Sequence, residues 1–207
     1  MTPHRPTLER ERALWAMGRR VVAGVDEAGR GPLAGPVVAA AVVFPADMRA
    51  VPGLRDSKVL TPRARERIAR LVRHRALAVA VAAASVREID RFNIRRATIL
   101  AMRRAIRRLP ATPDHILVDG VPLPELLLEH DAIVDGDARC HSIAAASVIA
   151  KTVRDRLMVR LAARYVRYGW ETNRGYGTED HLAAIALHGP TPHHRRSFEP
   201  VSQLRLV

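Results

Sequence analysis

The chain has 207 residues, and its 34 Lys and Arg against 21 Asp and Glu give it a formal charge of +13. This length supports one sizeable domain with its own core, and the charge favours a polyanionic partner, although a solvated arginine-rich surface would look the same. The single cysteine, Cys140, excludes an internal disulfide framework, and no apolar run approaches the roughly 18 residues of a membrane span. Because the first 20 residues are too charged for a signal peptide, we expect a cytoplasmic protein.

Alternating apolar and amphipathic runs predict an α/β fold in which helices flank a five-stranded mixed sheet, followed by a helical C-terminal part. The first two strands are close enough in sequence to pair antiparallel. Thr7 is the expected N-cap of the first helix, and Thr61 followed by Pro62 is expected to open the second. In chain order we predict a helix at 7–17, strands at 21–26 and 37–44, a helix at 61–74, a strand at 76–84, a helix at 93–109, strands at 115–119 and 132–134, and helices at 142–165 and 179–188.

Two adjacent carboxylates, Asp26 and Glu27, end the first predicted strand and precede a turn with glycine at 29, 31 and 35. Neighbouring acids inside a core strand would be costly, but they are tolerable where the strand ends at an open site and a cation shares their charge. Arg30 lies between two glycines, where bare backbone can come close to a ligand. The segment therefore offers oxygen ligands for a hard divalent metal, and N–H groups with a positive charge for a phosphodiester.

Two later strands repeat this pattern, because Asp119 precedes Gly120 and the sequence Asp135-Gly136-Asp137 follows the last strand. A single Asp-Gly pair is an ordinary turn signal. Three strands that all end in carboxylates, in so basic a chain, instead favour a two-metal site that holds both the attacking and the leaving oxygen.

The long helix at 142–165 contains Ser147, Lys151 and Asp155 at spacings of four residues, so the three share one face. An exposed polar stripe would give the same pattern. The functional alternative places Ser147 and Lys151 near a substrate phosphate, with Asp155 orienting Lys151.

Several sequence blocks, in order, resemble the ribonuclease HII family, and the resemblance runs from about Val21 to Phe198. The blocks are the Asp-Glu-Ala-Gly-Arg-Gly-Pro-Leu-Ala-Gly run at 26–35, Asp56-Ser57-Lys58, Asp119-Gly120, Gly136-Asp137, the Ala-Ala-Ser-Val-Ile-Ala-Lys run at 145–151, Gly175-Tyr176-Gly177-Thr178 and the His-His-Arg-Arg-Ser-Phe run at 193–198.

The resemblance implies a ribonuclease H-like fold and a single domain at 1–207, with a catalytic core at about 20–166 and a helical substrate-binding part at about 167–207. It also implies an endonuclease that cuts the RNA strand of RNA–DNA hybrids and cuts 5′ of ribonucleotides embedded in duplex DNA, leaving 5′-phosphate and 3′-hydroxyl ends. We expect a monomer that acts in DNA replication and ribonucleotide excision repair, with no membrane association and no obligatory protein partner.

By the same resemblance, two Mg²⁺ or Mn²⁺ ions would bind at the catalytic carboxylates Asp26, Glu27, Asp119 and Asp137. The backbone at 29–31 would recognise the 2′-hydroxyl, and Tyr176 would stack on the next, deoxy, sugar. The full expected substrate-binding set is Gly29, Arg30, Gly31, Lys58, Ser147, Lys151 and Tyr176.

Asp135 departs from the family pattern, since many relatives carry lysine there, and it leaves open which of Asp135 and Asp137 is the ligand. We favour Asp137 because Gly136-Asp137 matches the family. Two other classes remain as alternatives. Ribonuclease HIII resembles the chain less, because it typically has lysine in the Gly-Arg-Gly position and a large N-terminal domain, whereas about 20 residues precede the first motif here. A non-catalytic nucleic-acid-binding protein on the same fold is disfavoured, because a pure binder gains nothing from four acids facing phosphate.

Overall fold

The structure, a computed structural model, describes residues 5–203, so the ends of the predicted domain at 1–4 and 204–207 lie outside the described residues. A five-stranded sheet with the order β3-β2-β1-β4-β5 forms its centre. The pairs β1–β2 and β2–β3 are antiparallel, and β1–β4 and β4–β5 are parallel, which confirms the mixed sheet. The strands are β1 Val22–Ala28, β2 Val37–Val43, β3 Ala78–Ala84, β4 His115–Asp119 and β5 His130–Ile133.

The described part of the chain also contains seven α-helices. They are α1 Glu9–Ala16, α2 Pro62–Arg75, α3 Val86–Arg107, α4 Gly136–Arg139, α5 His141–Arg164, α6 Trp170–Asn173 and α7 Glu179–His188, with short 3₁₀ turns at Pro124–Leu126 and Val166–Tyr168. Across residues 5–203, no helix is both long and apolar enough to cross a bilayer.

Helices cover both faces of the sheet, so β2 is buried along its whole length and reads as a continuous apolar run rather than an alternating one. Helix α3 packs on one face, and α2 and α5 pack on the other. Helix α5 lies especially close to β1 at Gly24, where an added Cβ would come within 2.2 Å of the Ser142 carbonyl carbon. This close contact fixes α5 over the strand that carries the first two predicted acids.

Two predicted helix starts are wrong. Helix α1 has Leu8 rather than Thr7 at its N-cap, without a side-chain capping bond. Helix α3 begins at Val86, because Ser85 and Glu88 form a capping box in which each side chain accepts a hydrogen bond from the other residue's backbone N–H. The predicted start at 93 coincides with a kink at Asn93, which has a φ of 66° inside the helix.

The chain after α5 packs around Trp170, which is fully buried and stacks on Tyr168 with ring centroids 5.4 Å apart. Met158 of α5 and Ile185 of α7 belong to the same apolar cluster. The C-terminal helices are therefore anchored on the second half of α5, beyond the end of the sheet strands.

Candidate active site

The parallel pairing of β1 and β4 brings two acids to the same level of the sheet. Val25 is the register partner of Val118, so one residue further along each strand Asp26 is level with Asp119. Strand β4 ends at Asp119, whereas β1 continues to Ala28, two residues beyond its predicted end. The two carboxylates thus meet at the C-terminal ends of the parallel strands, which we call the carboxyl edge of the sheet. Ligand sites on sheets with parallel strands form at these ends.

Asp26 and Glu27 point to opposite faces of β1, as neighbouring residues of a strand must. Val25 packs in the cluster that contains α3, and Ala28 packs in the cluster that contains α5. Alternation therefore places Asp26 on the α5 side and Glu27 on the α3 side. Both still reach the same cavity, because the strand is close to its end.

Asp137 is brought to this edge by a turn rather than by a strand. Strand β5 ends at Ile133, and Asp137 lies in α4, so the expectation of a third acid directly at a strand end is wrong. The Gly136 N–H donates to Asp119 Oδ1 over 2.7 Å and so fixes α4 against the end of β4. Asp137 is buried, whereas Asp135 is exposed and has a φ of 54°. Of the two candidate acids, only Asp137 is enclosed at the site.

Burial and mutual repulsion disfavour the ionised carboxylates. Burial raises the pKa of Asp26 well above its usual value, and the charges of Glu27 and Asp119 raise it further. Burial also raises the pKa of Glu27, against the opposing charge of Arg30, and it raises the pKa of Asp119 with the help of Asp137. A cation at this edge would relieve both effects.

Two protein cations already lie beside the acids: Arg30 Nη1 is 3.4 Å from Glu27 Oε1, and Lys58 Nζ is 3.1 Å from Asp137 Oδ2. Burial alone would lower the pKa of Lys58, but the hydrogen bond and charge of Asp137, with Asp56 and Asp26, raise it overall. The Lys58 ammonium therefore remains a cation that partly balances a cluster of buried acids.

The donor set fits a hard divalent cation, because every candidate ligand is a carboxylate oxygen. Among residues 5–203, no three acidic, histidine or cysteine side chains converge as a complete cage around one ion. Mg²⁺ seldom has such a cage, since it is usually held by one or two carboxylates together with water and substrate phosphates. Pairs of acids spread along the edge suit that open form of coordination.

A cavity of about 270 Å³ joins these acids to the predicted substrate-binding residues. Asp137 is not part of its lining, but it contacts the lining residue Lys58. Only Ala28 and Ser57 in its lining were not singled out from the sequence, and Ser57 lies inside the Asp-Ser-Lys block. The cavity is lined by Asp26, Glu27, Ala28, Gly29, Arg30, Gly31, Ser57, Lys58, Asp119, Ser147, Lys151 and Tyr176.

The polar face of α5 forms one wall of the cavity. Ser147 Oγ lies 2.9 Å from Ser57 Oγ, which ties α5 to the Asp-Ser-Lys segment. Lys151 Nζ donates to Asp155 Oδ1 over 2.8 Å, and Arg65 of α2 donates to the other Asp155 oxygen over 2.6 Å. The predicted spacing thus gives an oriented lysine, while the contribution of Arg65 had no signal in the sequence because the two residues are 90 positions apart.

This sheet has helices on both faces and buried carboxylates at its carboxyl edge, beside an arginine flanked by glycines. Together these features define a nuclease of the ribonuclease H-like fold. Comparison with known proteins agrees. The ribonuclease HII family matches residues 23–201. Ribonuclease HII of Synechococcus sp. (strain JA-3-3Ab) is 52% identical over 202 residues, covering 97% of this chain and 91% of that protein. The chain therefore belongs to the ribonuclease HII family, and it is an endoribonuclease of the type 2 ribonuclease H class that acts on RNA–DNA hybrids.

Solved structures support the same fold. The ribonuclease H2 from Pyrococcus horikoshii OT3 is 28% identical with a TM-score of 0.75, covering 89% of this chain and 96% of that one. Bst-RNase HIII in complex with Mn²⁺ is 20% identical with a TM-score of 0.70, covering 92% of this chain and 71% of that one, so the likeness extends to the fold alone. The family match over residues 23–201, and not these structural likenesses, decides between ribonuclease HII and ribonuclease HIII in favour of ribonuclease HII.

Proposed function

We propose that this enzyme is a metal-dependent endonuclease that hydrolyses the RNA strand of RNA–DNA hybrids and also cuts 5′ of single ribonucleotides embedded in duplex DNA. The products would carry 5′-phosphate and 3′-hydroxyl ends. The observation that carries this proposal is the group of buried acids whose ionised forms repel one another, next to a loop of bare backbone in the same cavity.

Two Mg²⁺ or Mn²⁺ ions would be held by the four acids Asp26, Glu27, Asp119 and Asp137. Ions bound there supply Lewis acidity at the attacking water and at the leaving 3′-oxygen. The chain's own contribution is to position these oxygens: the Glu27 N–H donates to Asp26 Oδ1 over 2.7 Å, and the Gly136 N–H holds Asp119. Binding of Mn²⁺ by a protein of the same fold is consistent with this choice of ion.

The loop at Gly29, Arg30 and Gly31 would recognise the 2′-hydroxyl through its main chain. Gly29 has a φ of +92°, and a Cβ there would come within 1.9 Å of Arg154 Nε, so a side chain is excluded. At Gly31 an added Cβ would lie 4.0 Å from Tyr176 Cε1, an ordinary van der Waals contact, so the loop backbone and the tyrosine ring face each other at short range. A sugar bound across the rim that they share would contact both.

The other predicted substrate-binding residues surround that space. Lys151 Nζ lies 5.7 Å from the centre of the Tyr176 ring, which is 45% exposed. Lys58 and Lys151 would contact phosphates, Ser147 would support them from α5, and the exposed ring would stack on the deoxyribose that follows the ribonucleotide. The ring would thereby distinguish an RNA-to-DNA step from continuous RNA.

We further propose a cytoplasmic monomer in which a catalytic core at about 20–166 carries a substrate-binding C-terminal part, acting in DNA replication and ribonucleotide excision repair. A charge of +13 suits the duplex partner, and Cys140, buried with a pKa raised to about 12 by burial and by Glu11, suits a structural thiol.

The decisive experiment incubates the enzyme with a labelled DNA duplex that contains one ribonucleotide, in Mg²⁺, in Mn²⁺ and in EDTA, and maps the ends of the products. We expect metal-dependent cleavage 5′ of the ribonucleotide, with a 5′-phosphate on the downstream fragment. A 2′,3′-cyclic phosphate, or equal cleavage in EDTA, would contradict the proposal.

A further inference from the structure

Two adjacent buried residues near the C-terminus, His194 and Arg195, reach two different loops of the proposed site. We call residues 29–36 the glycine loop and residues 173–178 the tyrosine loop. His194 is 1% exposed and Arg195 is 0% exposed, so neither can contact a substrate directly. The Arg195 side chain instead contacts main-chain carbonyls of the glycine loop, and the His194 side chain contacts His181, which is bonded to the tyrosine loop.

The Arg195 guanidinium holds the carbonyl side of the glycine loop. It donates to the carbonyl oxygens of Gly29 and Arg30, the latter over 2.6 Å, and to that of Gly35 from both Nε and Nη2 over 3.0 and 2.9 Å. In a trans peptide the C=O and the following N–H point in opposite directions. With the carbonyls of Gly29 and Arg30 turned towards Arg195, the N–H groups of Arg30 and Gly31 point away from it, as donors for a ligand.

Arg154 of α5 contacts both loops from a second direction. It donates to Pro36 O and Ala34 O of the glycine loop over 3.0 and 2.9 Å, and to Arg174 O of the tyrosine loop over 3.0 Å. Within the described residues, every side-chain hydrogen bond of Arg154 and Arg195 goes to a main-chain carbonyl. Burial lowers the pKa of Arg154 to about 10 and that of Arg195 to about 9, and the mutual repulsion of the two also lowers the Arg195 value. Burying two guanidinium groups is costly, and these hydrogen bonds to main-chain carbonyls offset part of that cost.

His194 and His181 form a relay to the tyrosine loop. The hydrogen-bond donors around the two rings determine the tautomer of each. The Thr191 N–H donates to His194 Nδ1 over 2.9 Å, so His194 carries its proton on Nε2, which lies 3.1 Å from His181 Nε2. Trp170 Nε1, which can only donate, also points to His181 Nε2 over 3.0 Å. His181 therefore carries its proton on Nδ1 and donates it to Tyr176 O over 2.7 Å.

Both imidazoles are neutral in this arrangement, and burial favours that state. Burial, together with the nearby His181 and His193, lowers the pKa of His194 to about 4, and burial also lowers that of His181. Main-chain bonds join the same pieces: Arg195 N donates to Leu33 O, and Leu33 N donates to Gly175 O, each over 2.8 Å. The C-terminal segment thus connects the two loops through both side chains and backbone.

We propose that His194 and Arg195 are positioning residues that set the distance between the N–H groups of the glycine loop and the ring of Tyr176. This inference rests on the proposed function, in which the first group reads the 2′-hydroxyl and the ring reads the next deoxyribose. The two residues then determine the preference for an RNA-to-DNA step, without touching substrate. A displacement of about 1 Å in such a pair is enough to cost up to a hundredfold in rate.

The test measures kcat/KM for a duplex with one embedded ribonucleotide and for a continuous RNA–DNA hybrid, and takes their ratio as the junction preference. We expect Arg195→Lys and His194→Leu each to lower this ratio by about tenfold, whereas Arg196→Lys, the same change at the exposed neighbour, leaves it unchanged. His194→Gln, whose amide can still donate to His181, should recover most of the preference. Equal loss on both substrates by Arg195→Lys and His194→Leu would show a merely structural role and overturn the inference.

Tyr176→Ala separates failure of this inference from failure of the proposed function. It should lower the junction preference by itself, and adding His194→Leu to it should lower the preference no further, because the relay acts through Tyr176. If Tyr176→Ala leaves the preference unchanged, the assigned role of the ring fails. If Tyr176→Ala lowers it and neither His194→Leu nor Arg195→Lys does, only the positioning inference fails.

If the variants do not fold, a measurement on the unaltered enzyme still tests the inference. Long-range ¹H–¹⁵N correlation spectra of the histidine rings should show His181 protonated at Nδ1 and His194 at Nε2 at neutral pH. The opposite tautomers, or two doubly protonated rings, would contradict the relay and with it the inference.

Discussion

At the scale of single residues, the buried acids couple catalysis to a stability cost. The pKa of Asp26 is raised in the folded protein, mainly by burial and then by Glu27 and Asp119. A carboxylate with a raised folded pKa contributes stability below its unfolded pKa, and that contribution is lost as the pH rises through the folded pKa. Through this group, the metal-free enzyme should therefore become less stable as the pH rises above about 4, the usual pKa of an aspartate.

Asp26→Asn removes this repulsion and keeps an oxygen that can accept from the Glu27 N–H. In EDTA at pH 8, we expect the variant to be more stable than the parent by on the order of 1 kcal/mol, or about 2–4 °C in Tm for a protein of this size. The difference should shrink as the pH approaches 4, and cleavage activity should be lost at every pH. Thermal unfolding across the pH series measures this, and a variant less stable than the parent at pH 8 would contradict the electrostatic account.

That the candidate site residues would lie close together was largely predictable from the sequence, because strand ends, Asp-Gly pairs and helix spacing are local patterns. All of them except Asp137 line one cavity, and Asp137 contacts its lining residue Lys58. The roles of Arg154, His181 and Arg195 had no local signal, since their partners lie elsewhere in the chain: Arg195 binds carbonyls about 160 positions away. A buried arginine cannot be told from a surface arginine in a chain with 34 basic residues.

At the scale of elements, the active edge depends on how closely β1 and α5 approach. The strand and helix were both predictable, but their separation was not, because it depends on which glycine faces the helix. Likewise the sequence pattern placed the start of α3 at the kink of Asn93, although the Ser85 and Glu88 capping box is a readable signal seven residues earlier.

Gly24→Ala and Gly31→Ala add the same methyl group at two positions, the first in β1 where it faces α5 and the second in the loop that lines the cavity. At Gly24 the new methyl group would overlap the Ser142 backbone, so we expect a loss of about 1–3 kcal/mol in the free energy of unfolding. At Gly31 the nearest atom is 4.0 Å away, so stability should hold while kcat/KM for ribonucleotide-containing duplex falls. Denaturant titration and steady-state kinetics on both variants test this. The account would be wrong if Gly24→Ala were neutral in stability or Gly31→Ala fully active.

At the scale of the whole molecule, the chain combines a net charge of +13 with a small acidic centre. Basic groups near the cavity would bind phosphates, while the acids that line it would repel them until cations are bound. The overall charge was evident from composition, but which of the many arginines face the duplex depends on the fold.

Lys151→Ala and Arg30→Ala should weaken binding and lower the slope of log K against log salt by about one unit for each lost phosphate contact. Arg20→Ala is the matched control, because Arg20 is exposed just before β1 begins, at the opposite edge of the sheet from the acids. Filter binding in Ca²⁺, which suppresses cleavage, gives the slopes. An unchanged slope for both site variants would place the phosphate contacts elsewhere, such as the arginine-rich helix α3.

In the proposed function, acids gathered at the edge of β1 and β4 carry out the cleavage, and Asp137 and Asp135 allow the most direct test of this role. They are two residues apart, but Asp137 is buried beside Lys58 and Asp135 is exposed. Single-turnover cleavage of a duplex with one ribonucleotide in Mg²⁺ should be slowed at least about a hundredfold by Asp137→Asn and left near the parental rate by Asp135→Asn. Near-parental cleavage by Asp137→Asn, or a comparable loss with Asp135→Asn, would contradict the claim.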